Sequence, residues 1–479
     1  MRVPLVIRHI GMVLLINAVF LFISFFISLF NDETAVFPLL YSALIVLIFG
    51  SFPLIYVPSS PLLTTLEGMV TIVFGWLTTC IIGMLPYVMW GGEFTLINAW
   101  FESVSGYTTT GSTILKDIEV LPKGILFWRS STHWIGGLGV IIFALLILPQ
   151  PSTSKMVLVR NEISTIAKSN FQMKATQAVR ALAYVYIGLT LFETVLLWIA
   201  GMSLFDALNH SFSTIATGGF STKNLSIAYF DNLAVEIIIM VFMILSGLHF
   251  GLIYATLVGK RDNIFRSEIV RAFIFVLFSG ILLVAVKLWW SGYGTFLESL
   301  RLASFQVVSL GTTTGFATAD TPNWPFFTIL ILIYFTIQCA CAGSTSGGLK
   351  FDRVLLFFKS IILQIKSLQH PQGVFVLKIN HRTVEDSVLQ NSLIYILLYL
   401  SIILISTLLI TFQDVDLITS FSAAVTTIGN VGPGFGGVSS LGNFGALPTF
   451  SKFILTINML LGRLEIFSII SLFFIKSWK

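Results

Sequence analysis

Stretches of about 20 apolar residues recur along this 479-residue chain, each long enough as a helix to cross a hydrocarbon core of about 30 Å. A chain that is 56% apolar and 10% charged, with a mean hydropathy of +0.93, has too little polar surface to be a soluble globule. In lipid every backbone N–H and C=O must find its partner within the protein, so the spans are predicted to be helices. The alternation of an outer-membrane barrel, in strands of about ten residues, is absent. Cys80, Cys339 and Cys341 all fall in apolar segments, which argues against a disulfide framework or a zinc site. The first apolar run lacks an Ala-x-Ala site and continues into a second, so no cleavable leader is expected.

Leu5 to Phe30 and Phe37 to Val57 read as two spans joined by the turn Asn31 to Thr34. After Pro61 a unit recurs with a period of roughly 100 residues: a span, a short amphipathic segment, a Thr/Gly loop and a second span. Spans near 66–90 and 124–149 flank Asn98 to Thr108, and spans near 181–201 and 233–258 flank Asp206 to Ile215. Spans near 270–291 and 325–364 flank Glu298 to Leu310, and spans near 389–412 and 450–475 flank Asp416 to Val425. The flanked segments are too short to span and read as re-entrant. The expected fold is an all-α polytopic membrane protein: a two-span N-terminal domain (1–65), then pore repeats at 66–150, 151–260, 261–382 and 383–479, in pseudo-fourfold order around a single pore.

Charge supports this topology. Of 27 lysines and arginines, most fall on one side, among them Arg2, Arg8, Lys155, Arg160, Lys168, Lys174, Arg180, Lys260, Arg261, Arg266, Arg271, Lys350, Arg353, Lys359, Lys366, Lys378, Arg382, Lys476 and Lys479. The positive-inside rule then sets both termini in the cytoplasm. The opposite side carries Glu93, Glu102, Asp206, Asp231, Glu298, Asp320, Asp414 and Asp416, read as an acidic vestibule that gathers cations. Every unit begins on the same side, unlike the inverted repeats of a secondary transporter. A membrane-embedded hydrolase would not explain four copies of one loop, and the chain has no P-loop, so it is not expected to be an enzyme.

The loops are Thr108-Thr-Thr-Gly111, Ala216-Thr-Gly-Gly-Phe-Ser221, Thr312-Thr-Thr-Gly-Phe316 and Thr426-Thr-Ile-Gly-Asn-Val-Gly-Pro-Gly434. An alkali cation sheds its water only where oxygens replace it, and a ring of backbone carbonyls can do so. Glycine admits the φ > 0 conformations such a strand needs, and threonine adds a hydroxyl oxygen. In the fourth loop both Gly429 and Gly432 are candidates, because spacing does not choose between them.

These four loops, with Gly462-Arg-Leu-Glu-Ile-Phe467, resemble the Trk/Ktr/HKT superfamily of potassium transporters, most closely its TrkH branch, over nearly the whole chain. The resemblance implies a potassium filter at Thr109, Thr110, Gly111, Ala216, Thr217, Gly218, Thr313, Thr314, Gly315, Asn430, Val431 and Gly432, with Gly432 favoured over Gly429. In the HKT branch a serine at the first filter glycine accompanies sodium preference, so Gly111 implies potassium.

Ala342 to Gly348 carries no large apolar side chain and cannot be an ordinary lipid-facing helix, though a small-residue packing face is a rival reading. By resemblance, Gly343, Ser344, Thr345, Ser346, Gly347 and Gly348 form the intramembrane gating loop of the third repeat. Arg463, midway along the last span, is by default functional, and the resemblance sets it below the filter as a barrier to cations. Its rival role is an ion pair with Glu465, although i, i+2 residues lie on different helix faces. The family further implies uptake across a bacterial inner membrane, no cofactor beyond the transported potassium, a homodimer in the lipid bilayer, and a cytoplasmic nucleotide-binding ring protein as regulator. No nucleic-acid partner is expected. Proton- or sodium-coupled symport through the same architecture is the alternative to channel-like passage.

Overall fold

The computed structural model describes residues 1–58, 64–147, 175–260, 262–380, 382–464 and 466–473. Glu465 lies outside them, as do Lys155, Arg160, Lys168, Lys174, Arg261, Lys476 and Lys479, so the ion pair and that part of the charge pattern are not addressed by the described residues.

Helices α1 (Val3–Phe30) and α2 (Val36–Tyr56) form a hairpin that packs on the first repeat. The first repeat runs α3 (Thr65–Gly83), α4 (Leu85–Trp90), α5 (Leu96–Tyr107) and α6 (Lys123–Ile147). Two contacts join hairpin and repeat. The Tyr107 hydroxyl donates to Asn17 Oδ1 at 2.6 Å, and the Glu33 carboxylate accepts the N–H groups of Lys123 and Gly124 at 2.8 and 3.1 Å. A carboxylate on free N–H groups at a helix start is favourable for that helix.

The second repeat holds α7 (Ala175–Ile199), α8 (Leu204–Ile215), α9 (Leu233–Gly247) and α10 (Phe250–Leu257). The third holds α11 (Glu268–Trp290), α12 (Phe296–Gly311), α13 (Phe326–Ile337) and α14 (Phe351–Gln369), followed by a two-residue hairpin, β1 (Lys378–Ile379) with β2 (Arg382–Thr383). The fourth holds α15 (Asp386–Thr411), α16 (Leu417–Gly429), α17 (Thr449–Arg463) and α18 (Ile466–Phe473).

The short pore helices α5, α8, α12 and α16 start alike. Thr95, Ser203, Thr295 and Asp416 each accept an N–H of the first turn through a side-chain oxygen, the residue types that cap helices best. The fourth runs past the expected Val425 to Gly429.

Three of the expected continuous spans are broken. The span at 233–258 turns through 104° between α9 and α10. The span at 325–364 leaves the helix at Gln338 and re-enters it at Phe351, with Gln338 and Leu349 paired side by side. The last span stops at Arg463 and resumes at Ile466. Close packing accompanies two of the breaks. A Cβ on Gly247 would meet Thr312 Cγ2 at 3.1 Å, and one on Gly462 would collide with the Ile428 carbonyl, so glycine lets each span press against the end of a pore helix.

Candidate ion-selective pore

Every pore helix ends in one motif. The N–H groups of Thr110, Gly218, Thr314 and Val431 donate back to Ser105, Ser213, Ser309 and Thr426 at 2.9, 2.8, 2.9 and 3.0 Å. The residue before each is left-handed: Thr109 (φ 53°), Thr217 (54°), Thr313 (61°) and Asn430 (53°). This is a Schellman cap in which threonine three times holds the place normally given to glycine. A β-branched residue there is a genuine outlier, costing about 1–3 kcal/mol, and such strain concentrates at functional sites.

The following residue also has positive φ: Gly111 (80°), Gly219 (82°), Gly315 (81°) and Gly432 (103°). A Cβ on Gly111 would collide with the carbonyl oxygen of Gly218, and one on Gly219 with that of Thr314. Gly315 stands in the same way against Val431, and Gly432 against Thr110. The four contacts run from loop one to two, three, four and back to one. The carbonyls of Thr110, Gly218, Thr314 and Val431 therefore stand on one closed ring.

This geometry changes one assignment. The second loop contributes Thr217, Gly218 and Gly219 in the register of Thr109, Thr110 and Gly111, not Ala216, Thr217 and Gly218. Ala216 ends its pore helix where Thr108 ends the first. The Thr-Gly letters invite the shifted match, because Gly218 and Gly219 are adjacent and only the second has positive φ. In the fourth loop Gly432 holds the ring position, while Gly429 closes α16.

Oxygens line the path beside the ring. The Oγ1 atoms of Thr109 and Thr313 and Oδ1 of Asn430 are buried with no hydrogen-bond partner among the described residues. Asn430 is held by its amide nitrogen, which donates to Thr110 Oγ1 and to the Met459 carbonyl, both at 2.9 Å. Orphaned buried oxygens are costly in a dry interior and suit a path that a cation occupies. The helix C-termini at the ring add carbonyl partial charge of the same sign.

The loop from Gln338 to Lys350 lies against this assembly on the side of Asn430. The Thr345 hydroxyl donates to the carbonyl of Ile215, the last residue of α8, at 2.9 Å, and a Cβ on Gly347 would collide with Asn430 Oδ1. Gly343 (φ 81°) and Gly348 (φ 58°) make the turns. The loop bonds to the break between α9 and α10 through Cys341 N–H to Gly247 (3.1 Å) and Phe250 N–H to Gly343 (3.1 Å). The Ser344 and Ser346 hydroxyls are bonded to each other at 2.8 Å. The buried guanidinium of Arg463 donates to the Thr345 carbonyl and, at 2.6 Å, to that of Gly136 in α6. Arg463 follows Gly462, which faces Ile428 as Gly136 faces Tyr107, so it holds the register of Gly137.

The acidic vestibule is not what stands over the ring. The mouth beside Gly111, Gly219, Gly315 and Gly432 is lined by Ser112, Ser439, Ser440 and Asn443 with Lys116, Lys223 and Arg129, and includes no carboxylate among the described residues. Several of the acids have other partners. Glu102 is fully buried on Arg129, Asp206 accepts from Ser203 and Thr222 (both 2.7 Å), and Asp231 faces Arg301 at 3.5 Å. Glu298 and Asp416 serve their helix starts, whose N–H bonds hold both carboxyls below the usual range.

Known proteins share this arrangement. The family model for TrkH, described as a cation transport protein, matches residues 42–478. The chain is 37% identical over 417 residues to the Trk system potassium uptake protein TrkH of Escherichia coli K12, covering 86% of each chain. It is 35% identical to the TrkH of Halomonas elongata, covering 90% of each. Among solved structures, the potassium transporter TrkH from Vibrio parahaemolyticus superposes with a TM-score of 0.88 at 30% identity over 100% of both chains.

Proposed function

Because the chain belongs to the TrkH family of cation transport proteins, we propose that it carries potassium ions through the ring formed by the Thr110, Gly218, Thr314 and Val431 carbonyls. The closed cycle of glycine–carbonyl contacts is the observation that carries this reading. A potassium ion entering from the mouth exchanges water for ring carbonyls, then meets Thr109 Oγ1, Thr313 Oγ1 and Asn430 Oδ1 beyond them. One ring drawn from four loops, rather than a stack of several, makes for looser discrimination than a tetrameric potassium channel. The driving force is an inside-negative potential, worth about 2.3 kcal/mol per charge per 100 mV. Coupled symport is not favoured.

The loop from Gly343 to Gly348 is the gate in this reading, and Arg463 its latch. With the guanidinium on Thr345 and Gly136, the loop stays under the ring and a positive charge lies beside the path. The protein resides in a bacterial inner membrane with both termini cytoplasmic, as a homodimer. Its regulator is a cytoplasmic nucleotide-binding ring protein that pulls on α14 to withdraw the loop.

The test is rescue of potassium-limited growth in bacteria lacking their own uptake systems, with potassium and sodium fluxes measured in the same cells. Rescue with potassium preferred over sodium is expected. Failure to rescue by a correctly inserted protein would refute the reading.

A further inference from the structure

The four loops are not braced alike. Counting back from the ring residues Thr110, Gly218, Thr314 and Val431, the same pore-helix position holds Glu102, His210, Gln306 and Ala423. His210 Nε2 bonds to Ser221 Oγ at 3.0 Å, and Gln306 Nε2 donates to the Ala319 carbonyl at 3.2 Å. Each of these ties a pore helix to the strand leaving its own glycine. Ala423 offers no polar atom.

Glu102 does more. Its carboxylate accepts the Thr113 hydroxyl (3.0 and 3.1 Å) and the Ile114 N–H (3.0 Å), fixing the strand just beyond Gly111. It also pairs with Arg129 of α6, which donates through Nε at 2.9 Å and a terminal nitrogen at 2.6 Å. The Arg129 guanidinium carbon stands 4.0 Å from the centre of the Phe220 ring, the residue after Gly219. That ring stacks on His133 at 4.0 Å, and a Cβ on Gly218 would collide with the His133 imidazole. A single chain of contacts thus runs from the strand after Gly111, through Glu102 and Arg129, to the strand after Gly219. It spans the place where Gly111 meets the Gly218 carbonyl.

A buried ion pair is weak evidence for stability, since well-packed apolar residues do as well or better. The second and fourth repeats illustrate this. In the register that aligns Gly137 with Gly247 and Arg463, Arg129 corresponds to Ile239 and Leu455, both fully buried. Among the described residues, Glu102–Arg129 is an ion pair with both side chains out of solvent (0% and 1% exposed), and it lies behind only one edge of the ring.

We propose that Glu102 and Arg129 are positioning residues for ion selectivity, holding loops one and two at the separation that suits the larger potassium ion. This rests on the potassium reading given above. Neither side chain touches the ion; the pair sets the distance between carbonyls that do.

The test compares potassium and sodium fluxes of purified protein in liposomes, for the parent and for Arg129→Lys, Glu102→Gln and the double variant Glu102→Gln/Arg129→Met. Arg129→Lys keeps the charge but loses the two-pronged bond and the planar face over Phe220. The double variant leaves no bare buried ion, so at least one variant is expected to be monodisperse. Arg301→Lys, which weakens the Arg301–Glu236 pair at the outer start of α12, is the control. The potassium-to-sodium flux ratio should fall about tenfold in the folded brace variants, equivalent to one hydrogen bond's worth of discrimination, with potassium flux retained. Arg301→Lys should leave the ratio alone. An unchanged ratio in a folded Arg129→Lys or double variant would overturn the proposal, as would an equal loss in Arg301→Lys. A parent without potassium preference would instead refute the transport reading, which keeps the two failures distinct.

Discussion

The guanidinium of Arg463 donates to the carbonyl oxygen of Thr345, tying the last span to the Gly/Ser loop beneath the ring. A bond from a charged donor is worth about 1.5–3 kcal/mol, enough to shift a closed loop toward open by about tenfold or more. Arg463→Ala is therefore expected to raise potassium flux by about tenfold in reconstituted protein. Equal or lower flux from a normally folded variant would show that the arginine serves packing alone.

The register of the second loop gives a sharper test. Gly218 and Gly219 both exclude a side chain, but for different reasons. At Gly218 the obstacle is the His133 ring; at Gly219 it is the Thr314 backbone carbonyl, with φ of 82°. Transport lost in Gly218→Ala should return in Gly218→Ala/His133→Ala, while Gly219→Ala should not be rescued by any His133 change. Rescue of Gly219→Ala would contradict the assigned register, as would persistent loss in the Gly218 double variant.

Strain at Thr313 sets stability against function. Thr313→Gly removes a left-handed β-branched residue, and the folded state should gain about 1 kcal/mol. It also removes an oxygen beside the ring that has no hydrogen-bond partner among the described residues. A higher unfolding temperature with reduced potassium preference is expected. A variant less stable than the parent would mean that the threonine is relaxed where it stands.

Lys116 and Lys223 make the mouth less attractive to cations than a neutral rim would be. Replacing both with glutamine should lower the apparent KM for potassium by about threefold at low ionic strength, and the gain should shrink as salt is added. No change at low salt would show that the lysines are too well screened to act on the entering ion.

Much of this was legible in the chain. Repeated Thr/Gly letters after short amphipathic segments marked all four loops, and Ser, Thr or Asp stood ready to cap each pore helix. The segment from Ala342 to Gly348 announced irregular backbone by its lack of apolar side chains. What the letters missed depends on contacts between distant residues. Nothing local to Gly247 or Gly462 signals that the end of a pore helix is pressed against each. Glu102 read as a surface acid until Arg129, Thr113 and Ile114 closed around it. Two adjacent glycines concealed the frame of the second loop, which only the left-handed turn at Thr217 fixes.

The most direct measurement is the potassium-to-sodium flux ratio of Gly111→Ser, Gly219→Ser, Gly315→Ser and Gly432→Ser, each beside the parent in uptake-deficient cells. One ring drawn from four loops predicts that all four lose potassium preference or transport, since each serine would strike the carbonyl of the next loop. If any one of them, with protein present in the membrane, kept the parent's ratio, that loop would stand outside the ring and the ring would not be the filter.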